Sequence, residues 1–168
     1  MIDSTHLLDQ AAALLAARPD GSSATPTDRC RSISATYYAL FHIALAAAAD
    51  QSVGVVARNS PLYSLAYRSI DHKVMKALCD TVQKQTPPNS YKRYTPETGW
   101  GAEICGFAEA FITLNEQRML ADYDPCYTVS VSECVNYIIV ARTAIYKFIA
   151  ADAELKRSFL TLLLFPPR

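Results

Sequence analysis

Hydrophobic and polar residues recur with a helical period along most of this chain, most clearly between residues 31 and 44. At about 100° per residue, one side of that stretch carries the apolar positions Ile33, Tyr37, Leu40, Phe41 and Ala44. Such a stripe is typical of a helix packed on a core. A second stripe, away from the first, carries four hydrogen-bonding side chains: Arg31, Ser34, Tyr38 and His42. Only the apolar stripe is needed for folding, so the polar one is the first place to look for function.

The same period, read with helix start and stop residues, predicts six helices. We expect them at residues 5–18, 28–50, 61–85, 101–120, 131–151 and 153–165. The expected amino-terminal caps are Thr27, Ser60 before Pro61, Ser130 in a capping box with Glu133, and Asp152. Strand patterns are weak, and no repeat of about 20 to 50 residues stands out.

These elements predict an all-α fold. We expect one domain spanning residues 1–168, an up-and-down bundle of five to six helices. Its core would be residues 28–151, with the 5–18 helix and the 153–165 helix added at the two ends.

Charge narrows the classes of function. The formal net charge is zero, which argues against a protein that coats nucleic acid through a general electrostatic field. The window from Arg68 to Arg93 is locally positive, with six basic and two acidic residues. Candidate RNA contacts in this window are Lys73, Lys76, Lys92 and Arg93. The alternative is an ordinary solvated helix face and loop.

The cysteines and the apolar segments indicate the cellular compartment and whether a metal site is expected. The five cysteines are scattered, with no C-x-x-C pair and no histidine at ligand spacing, so we expect reduced thiols, no metal site and no cofactor. The apolar run 11–17 is too short for a secretory signal, and no apolar run approaches the length of a membrane span. We therefore expect a cytoplasmic protein with no membrane partner.

The string Ser34-Ala-Thr-Tyr-Tyr-Ala-Leu-Phe-His42 resembles the Tyr-Tyr-Ala-x-Phe-His helix of the HEPN superfamily. These are small helical domains of prokaryotic toxins, defence proteins and partners of minimal nucleotidyltransferases. Segments 66–72 and 120–125 are similar to segments of uncharacterised bacterial HEPN-like proteins, and the resemblance covers most of residues 29–150. It implies a helical bundle that forms a homodimer, binds a nucleotide or RNA, and has a nucleotidyltransferase or an antitoxin as a partner protein.

Catalytic members of that superfamily are metal-independent RNases with an Arg, four to six residues, then a His. Here three residues separate Arg68 from His72 and ten separate Arg31 from His42, so the motif is not matched. Arg68 and His72 are still candidate catalytic residues, since a separation of four places them side by side on the expected third helix. A neutral His can accept a 2′-hydroxyl proton while an Arg stabilises charge on the phosphorane. The alternative is that Arg68 pairs with Asp71 or a neighbouring carboxylate and His72 caps a surface hydrogen bond.

The polar stripe has two interpretations. It can line a groove that holds a phosphate or nucleotide, between helices or between two subunits. Asp122 and Asp124 would then orient His42, Arg31 or Arg68. It can equally be a packed polar network that fixes helix register, with Asp122 to Pro125 forming only a turn. Similarly, Tyr91, Tyr94 and Trp100 beside the basic connector can stack on RNA bases or simply pin the loop.

Three functional hypotheses follow. The favoured one is a non-catalytic HEPN-like module that binds a nucleotide or a partner protein in a prokaryotic defence or toxin–antitoxin type system. The second is a metal-independent RNase toxin that uses Arg and His on helical faces. The third is a structural helical scaffold whose polar stripe only specifies packing.

Overall fold

Eight α-helices make up the part of the chain that the computed structural model describes, residues 3–18 and 21–167. They are α1 (Ser4–Leu15), α2 (Pro26–Val53), α3 (Pro61–Arg68), α4 (His72–Val82), α5 (Asn89–Lys92), α6 (Gly101–Tyr123), α7 (Val131–Ala150) and α8 (Ala153–Leu164). A single 3-10 turn, Val55–Ala57, follows α2, and these described ranges hold no strand. The predicted all-α helical bundle is confirmed.

Helix α2 is the central element and packs against α1, α3, α6, α7 and α8. It buries small side chains such as Ala39, Ala44 and Ala48, which lets the neighbouring helices approach its backbone closely. Large aromatic residues fill the remaining space. Those with less than 2% of their surface exposed are Tyr37, Phe107, Phe111, Phe148 and Phe159. The bundle core therefore lies between α2 and α6–α8.

Helix α2 is also long and apolar enough, by length and composition, to cross a membrane. The sequence analysis found no apolar run of that length, because Arg and Asp residues interrupt α2 near its two ends. In the fold, 67% of its most apolar window is buried against the other helices. Its apolar character is thus accounted for by the core.

The start of α2 differs from the prediction by two residues. The cap is Thr25, not Thr27: the Thr25 hydroxyl accepts from Asp28 N–H at 3.2 Å, and the Asp28 carboxylate accepts from Thr25 N–H at 2.8 Å. Pro26 occupies the first helical position. The expected caps Ser60, Ser130 with Glu133, and Asp152 are all confirmed.

The predicted third helix, 61–85, is wrong as a single element. It divides into α3 and α4, because Asp71 adopts an extended conformation and its Oδ1 accepts from Val74 N–H at 2.7 Å, as an amino-terminal cap does. Ile70, at the break, is 4% exposed and turns into the core. The break places His72 at the first position of a new helix.

The other predicted boundaries shift by up to three residues. Helix α1 ends at Leu15 instead of residue 18, and α6 continues to Tyr123, past the predicted end at residue 120. Pro19 and Asp20, which follow the predicted end of the first helix, lie outside the described residues. The proline-rich connector between α4 and α6 contains the one-turn helix α5.

Candidate functional site

Polar side chains from three helices meet where the middle of α2 faces the start of α4 and the carboxyl end of α6. We call this group the Arg118 cluster, and its members are Ser34, Tyr38, His42, His72, Arg118 and Asp122. The Ser34 hydroxyl donates to Asp122 Oδ1 at 2.6 Å. The Tyr38 ring lies near both imidazoles, with centroid distances of 5.9 Å to His42 and 5.8 Å to His72. Three of the four residues of the predicted polar stripe therefore belong to one cluster.

Arg31, the fourth residue of that stripe, is not drawn into the cluster. Its side chain is exposed, and within the described ranges it makes no hydrogen bond or ion pair. It lies on α2 about one turn before Ser34, on the same side of the helix.

Arg118 is the cation at the centre of the cluster, and its side chain is only 14% exposed. Nε lies 2.7 Å from Asp122 Oδ2, an ion-pair distance, yet this buried N–H is not aimed at any acceptor. Nη2 is 3.4 Å from the Tyr38 hydroxyl, and Nη1 is 3.3 Å from the Met119 sulfur. Both are long or weak contacts for a charged donor. The protein holds this guanidinium in place but leaves its donors poorly used.

Aromatic rings support the same guanidinium. Arg118 Cζ lies 5.8 Å from the ring centroids of Tyr37 and Tyr38 and 5.5 Å from that of Tyr123. A cation within about 6 Å of a ring is attracted to it. These rings fix the position of Arg118 without consuming its N–H groups.

His72 is held by two contacts with α2. Its Nδ1 lies 2.6 Å from the hydroxyl of the buried Tyr37, and its ring stacks on Phe41 with a centroid distance of 4.1 Å. Burial lowers the pKa of His72, the Arg118 charge lowers it further, and Asp71 opposes them weakly. His72 is therefore neutral at neutral pH.

His42 is held in a similar way by α3. Its Nδ1 lies 2.6 Å from the hydroxyl of Tyr67. Burial is the larger cause that lowers the pKa of His42, and the neighbouring His72 lowers it further. His42 also lines a groove of about 400 Å³ together with the ion pair between Asp50 and Arg58.

Arg68 and His72 do not share a helix, which corrects the geometry on which the candidate catalytic pair was based. Arg68 ends α3 and lies on an open groove with Pro61 and Leu65, with no ion pair recorded within the described ranges. The charge that acts on His72 comes from Arg118 instead. Within the described residues Arg68 and Asp71 do not form the alternative ion pair either, and the Asp71 carboxylate caps α4.

The two aspartates have different positions. Asp122 belongs to the cluster, where it accepts from Ser34 and lies beside Arg118. Asp124 ends α6, and its Oδ1 accepts from Cys126 N–H at 2.9 Å, which is the local bonding of a turn.

The four basic residues predicted to contact RNA lie outside the cluster. Lys76 pairs with Asp80 at 2.9 Å, and Arg93 lies over the ring of Tyr94, with Cζ 4.7 Å from its centroid. Lys73 and Lys92 are exposed. In the connector, Trp100 is 5% exposed and contacts Phe159 edge to face, so it pins the loop and is not free to stack on a base.

Sequence reasoning missed Arg118 and the two tyrosines that hold the imidazoles. Arg118 lies four residues before Asp122, a spacing that forms ion pairs on one helix, and this was the signal available for it. The helical period predicts Tyr37 as a core residue, and its ring does lie in the core. Its hydroxyl also contacts Nδ1 of His72, which the period does not indicate. The described residues contain no group of His, Cys, Asp or Glu that could hold a metal ion.

We compared the chain with protein-family models, with curated proteins and with solved structures, and none of these searches found a match.

Proposed function

We propose that this chain is a non-catalytic HEPN-like module that binds the phosphate of a nucleotide through the Arg118 cluster, within a prokaryotic defence or toxin–antitoxin type system. The observation that carries the proposal is that the Arg118 guanidinium is little exposed and yet poorly hydrogen-bonded. Its side chain is 14% exposed, while its N–H groups make only long or misdirected contacts with the protein.

Nη1 and Nη2 of Arg118 contact only a thioether sulfur and a distant hydroxyl, whereas a guanidinium this little exposed normally pairs with strong acceptors. Phosphate oxygens would fill this deficit, since Arg presents a planar fork that matches a phosphate with two parallel hydrogen bonds. The Tyr38 hydroxyl, 3.4 Å from Nη2, and the Ser34 hydroxyl, which donates to Asp122 beside Arg118, add further polar groups to the site. A neutral imidazole still has one N–H group that can donate to a phosphate oxygen.

The family proposal is supported by where the resembling segments lie. Segment 34–42 supplies Ser34, Tyr38 and His42; segment 66–72 supplies Tyr67 and His72; and segment 120–125 supplies Asp122. All three segments meet at the Arg118 cluster. If a family has a site at this place, we expect the segments that form the site to be similar among its members, even where they are far apart in sequence.

Calorimetric titration tests the proposal, using inorganic phosphate, AMP and ATP as separate ligands. We expect binding by the unaltered protein and a loss of at least about tenfold in affinity for Arg118→Gln, the effect of about one charge-assisted hydrogen bond. Arg142→Gln is the matched control, because Arg142 also pairs with an aspartate, Asp9 at 3.0 Å, but on the exposed surface of α7. Equal affinities for the two variants, or no binding of any of these ligands, would contradict the proposal.

RNA cleavage is the second candidate, favoured by one observation: two neutral imidazoles and a guanidinium lie together. His72 is electrostatically coupled both to His42 and to Arg118. A general acid, a general base and a group that stabilises negative charge are what metal-independent cleavage requires. Purified protein incubated with RNA and a chelator separates the candidates. We expect intact RNA; cleavage that His42→Ala and His72→Ala both abolish would replace the binding proposal by the nuclease.

A further inference from the structure

Tyr37 has a single hydrogen-bond partner for its hydroxyl group. The residue is fully buried, with 0% of its surface exposed, and its oxygen lies 2.6 Å from His72 Nδ1. No other hydrogen bond of this hydroxyl is formed with the described residues. Burial also raises the pKa of Tyr37, so the hydroxyl keeps its proton.

That geometry restricts the direction of the hydrogen bond. A hydroxyl has one proton to donate, and a neutral imidazole has one nitrogen that donates and one that accepts. If Nδ1 of His72 carried the proton, it would donate to Tyr37, and the Tyr37 O–H would be left buried without an acceptor. If Tyr37 donates, its proton and Nδ1 are both satisfied. Buried donors are rarely left unpaired, so the second arrangement is the stable one.

We infer that Tyr37 is a positioning residue, which donates to Nδ1 of His72 and thereby keeps the imidazole proton on Nε2, where it is presented to a phosphate oxygen. This inference deepens the proposed function and rests on it for the identity of the ligand. The assignment of the proton rests on the Tyr37 contact and on a neutral His72, and it does not depend on the ligand.

The nitrogen in question is available to a ligand. Within the described ranges no residue hydrogen-bonds Nε2 of His72, and this atom is not among the buried polar atoms that lack a partner, so solvent reaches it. Arg118 is close enough to affect the charge state of His72. Arg118 and His72 then both present donors, and an acceptor-only group such as a phosphate is the ligand that satisfies both. In this tautomer Nε2 has no lone pair, so His72 cannot act there as a general base.

The pair formed by Tyr67 and His42 provides a matched contrast. Its hydrogen bond has the same length, 2.6 Å, and also uses Nδ1. Tyr67 is only half-buried, however, so water can accept its proton and the same restriction does not apply. Tyr67→Phe is therefore the control for Tyr37→Phe.

Nitrogen-15 NMR of the imidazole rings tests the inference, with the His72 signals assigned from their loss in His72→Gln. We expect the unaltered protein to carry the proton on Nε2 and to show Nδ1 as a hydrogen-bond acceptor. In Tyr37→Phe the Nδ1 signal should shift as its donor is lost, with averaging between the tautomers, whereas Tyr67→Phe should leave His72 unchanged. Titration with inorganic phosphate should perturb the Nε2 signal, and Tyr37→Phe should weaken phosphate binding by about fivefold, the effect of about one hydrogen bond.

The outcomes are distinguishable. A proton on Nδ1 in the unaltered protein, or an unchanged Nδ1 signal in Tyr37→Phe, would overturn the inference whether or not phosphate binds. A proton on Nε2 without any response to phosphate would support the assignment of the proton and overturn the proposed ligand. The spectrum of the unaltered protein decides the position of the proton even if a variant does not fold.

Discussion

Ser34 donates a hydrogen bond of 2.6 Å to Asp122 and so joins the middle of α2 to the carboxyl end of α6. The same carboxylate lies 2.7 Å from Arg118 Nε through its other oxygen. Asp122 therefore has two effects: it holds the two helices together, and it partly neutralises the cation that we propose to bind phosphate. These effects can be separated by a substitution that removes the charge and keeps the shape.

Asp122→Asn is expected to strengthen phosphate binding. The amide oxygen can still accept from Ser34, but the negative charge that would repel a phosphate beside Arg118 is gone. We expect affinity to rise by about fivefold, which corresponds to about 1 kcal/mol for a like charge in a partly exposed site. Calorimetric titration measures it.

The stability of that variant should fall slightly, by about 0.5 kcal/mol, as is usual for a partly exposed ion pair. Asp9→Asn is the control, because it removes the charge from the exposed pair with Arg142. If both variants bind phosphate as the unaltered protein does, Asp122 does not face the ligand.

The start of α2 provides a second prediction. Thr25 caps the helix by accepting from Asp28 N–H, whereas Thr27 is exposed inside the first turn. Thr25→Ala should lower the free energy of unfolding by about 1 kcal/mol, the ordinary cost of losing such a cap. Thr27→Ala should leave it unchanged or raise it slightly, because Ala favours a helix interior. Urea unfolding followed by circular dichroism compares the two variants. A larger loss of stability in Thr27→Ala than in Thr25→Ala would mean that Thr27 is the cap, as the sequence predicts.

Much of the architecture follows from local sequence. The period of residues 31–44 and the capping box from Ser130 to Glu133 are local signals, and the structure has helices at both places. The break between α3 and α4 was missed because it depends on Asp71 leaving the helix while Ile70 enters the core. Local sequence does not decide whether an Asp in the middle of a long helical pattern acts as a cap. The burial of neighbouring residues in the folded protein determines where the helix breaks.

The sequence predicts the residues that α2 contributes to the site, but not the cation that α6 contributes. The helical period placed Ser34, Tyr38 and His42 on one face of α2 without knowledge of any other helix. The cation that meets them comes from 80 residues away from Tyr38, across the packing of α2 on α6. A single sequence does not specify that packing. The separation of four residues therefore indicates Arg68 as the partner of His72, whereas the fold brings Arg118 there.

The cysteines give a third prediction, which tests burial across the bundle. Cys126 is exposed in the turn after α6, whereas Cys79 is fully buried on α4 and burial raises its pKa. Thiolate is the reactive form, so a thiol reagent should modify Cys126 first in the native protein and Cys79 only after the fold opens. Mass spectrometry of the partly modified protein identifies the site. Cys126→Ser should remove the fast phase; early modification of Cys79 would contradict the packing of α4 on α6.

The two cluster histidines give a fourth prediction, for stability against pH. Burial lowers the pKa of both His42 and His72 below their ordinary value of 6.5. In the unfolded chain they bind protons as the pH falls through that value, while in the folded protein they are still neutral. The unfolded state then binds more protons, so the free energy of unfolding decreases as the pH is lowered.

We therefore expect the thermal midpoint to fall between about pH 7.5 and about pH 5.5, and the fall to be smaller in the double variant His42→Gln with His72→Gln. The carboxylates of Asp28, Asp50 and Glu133 contribute at lower pH, since their pKa values are lowered from values already near 4. His6→Gln is the matched control, because His6 is exposed on α1. A double variant whose midpoint depends on pH as steeply as that of the unaltered protein would mean that these imidazoles are not held neutral by the fold, and the donor arrangement proposed for His72 would then lose its basis.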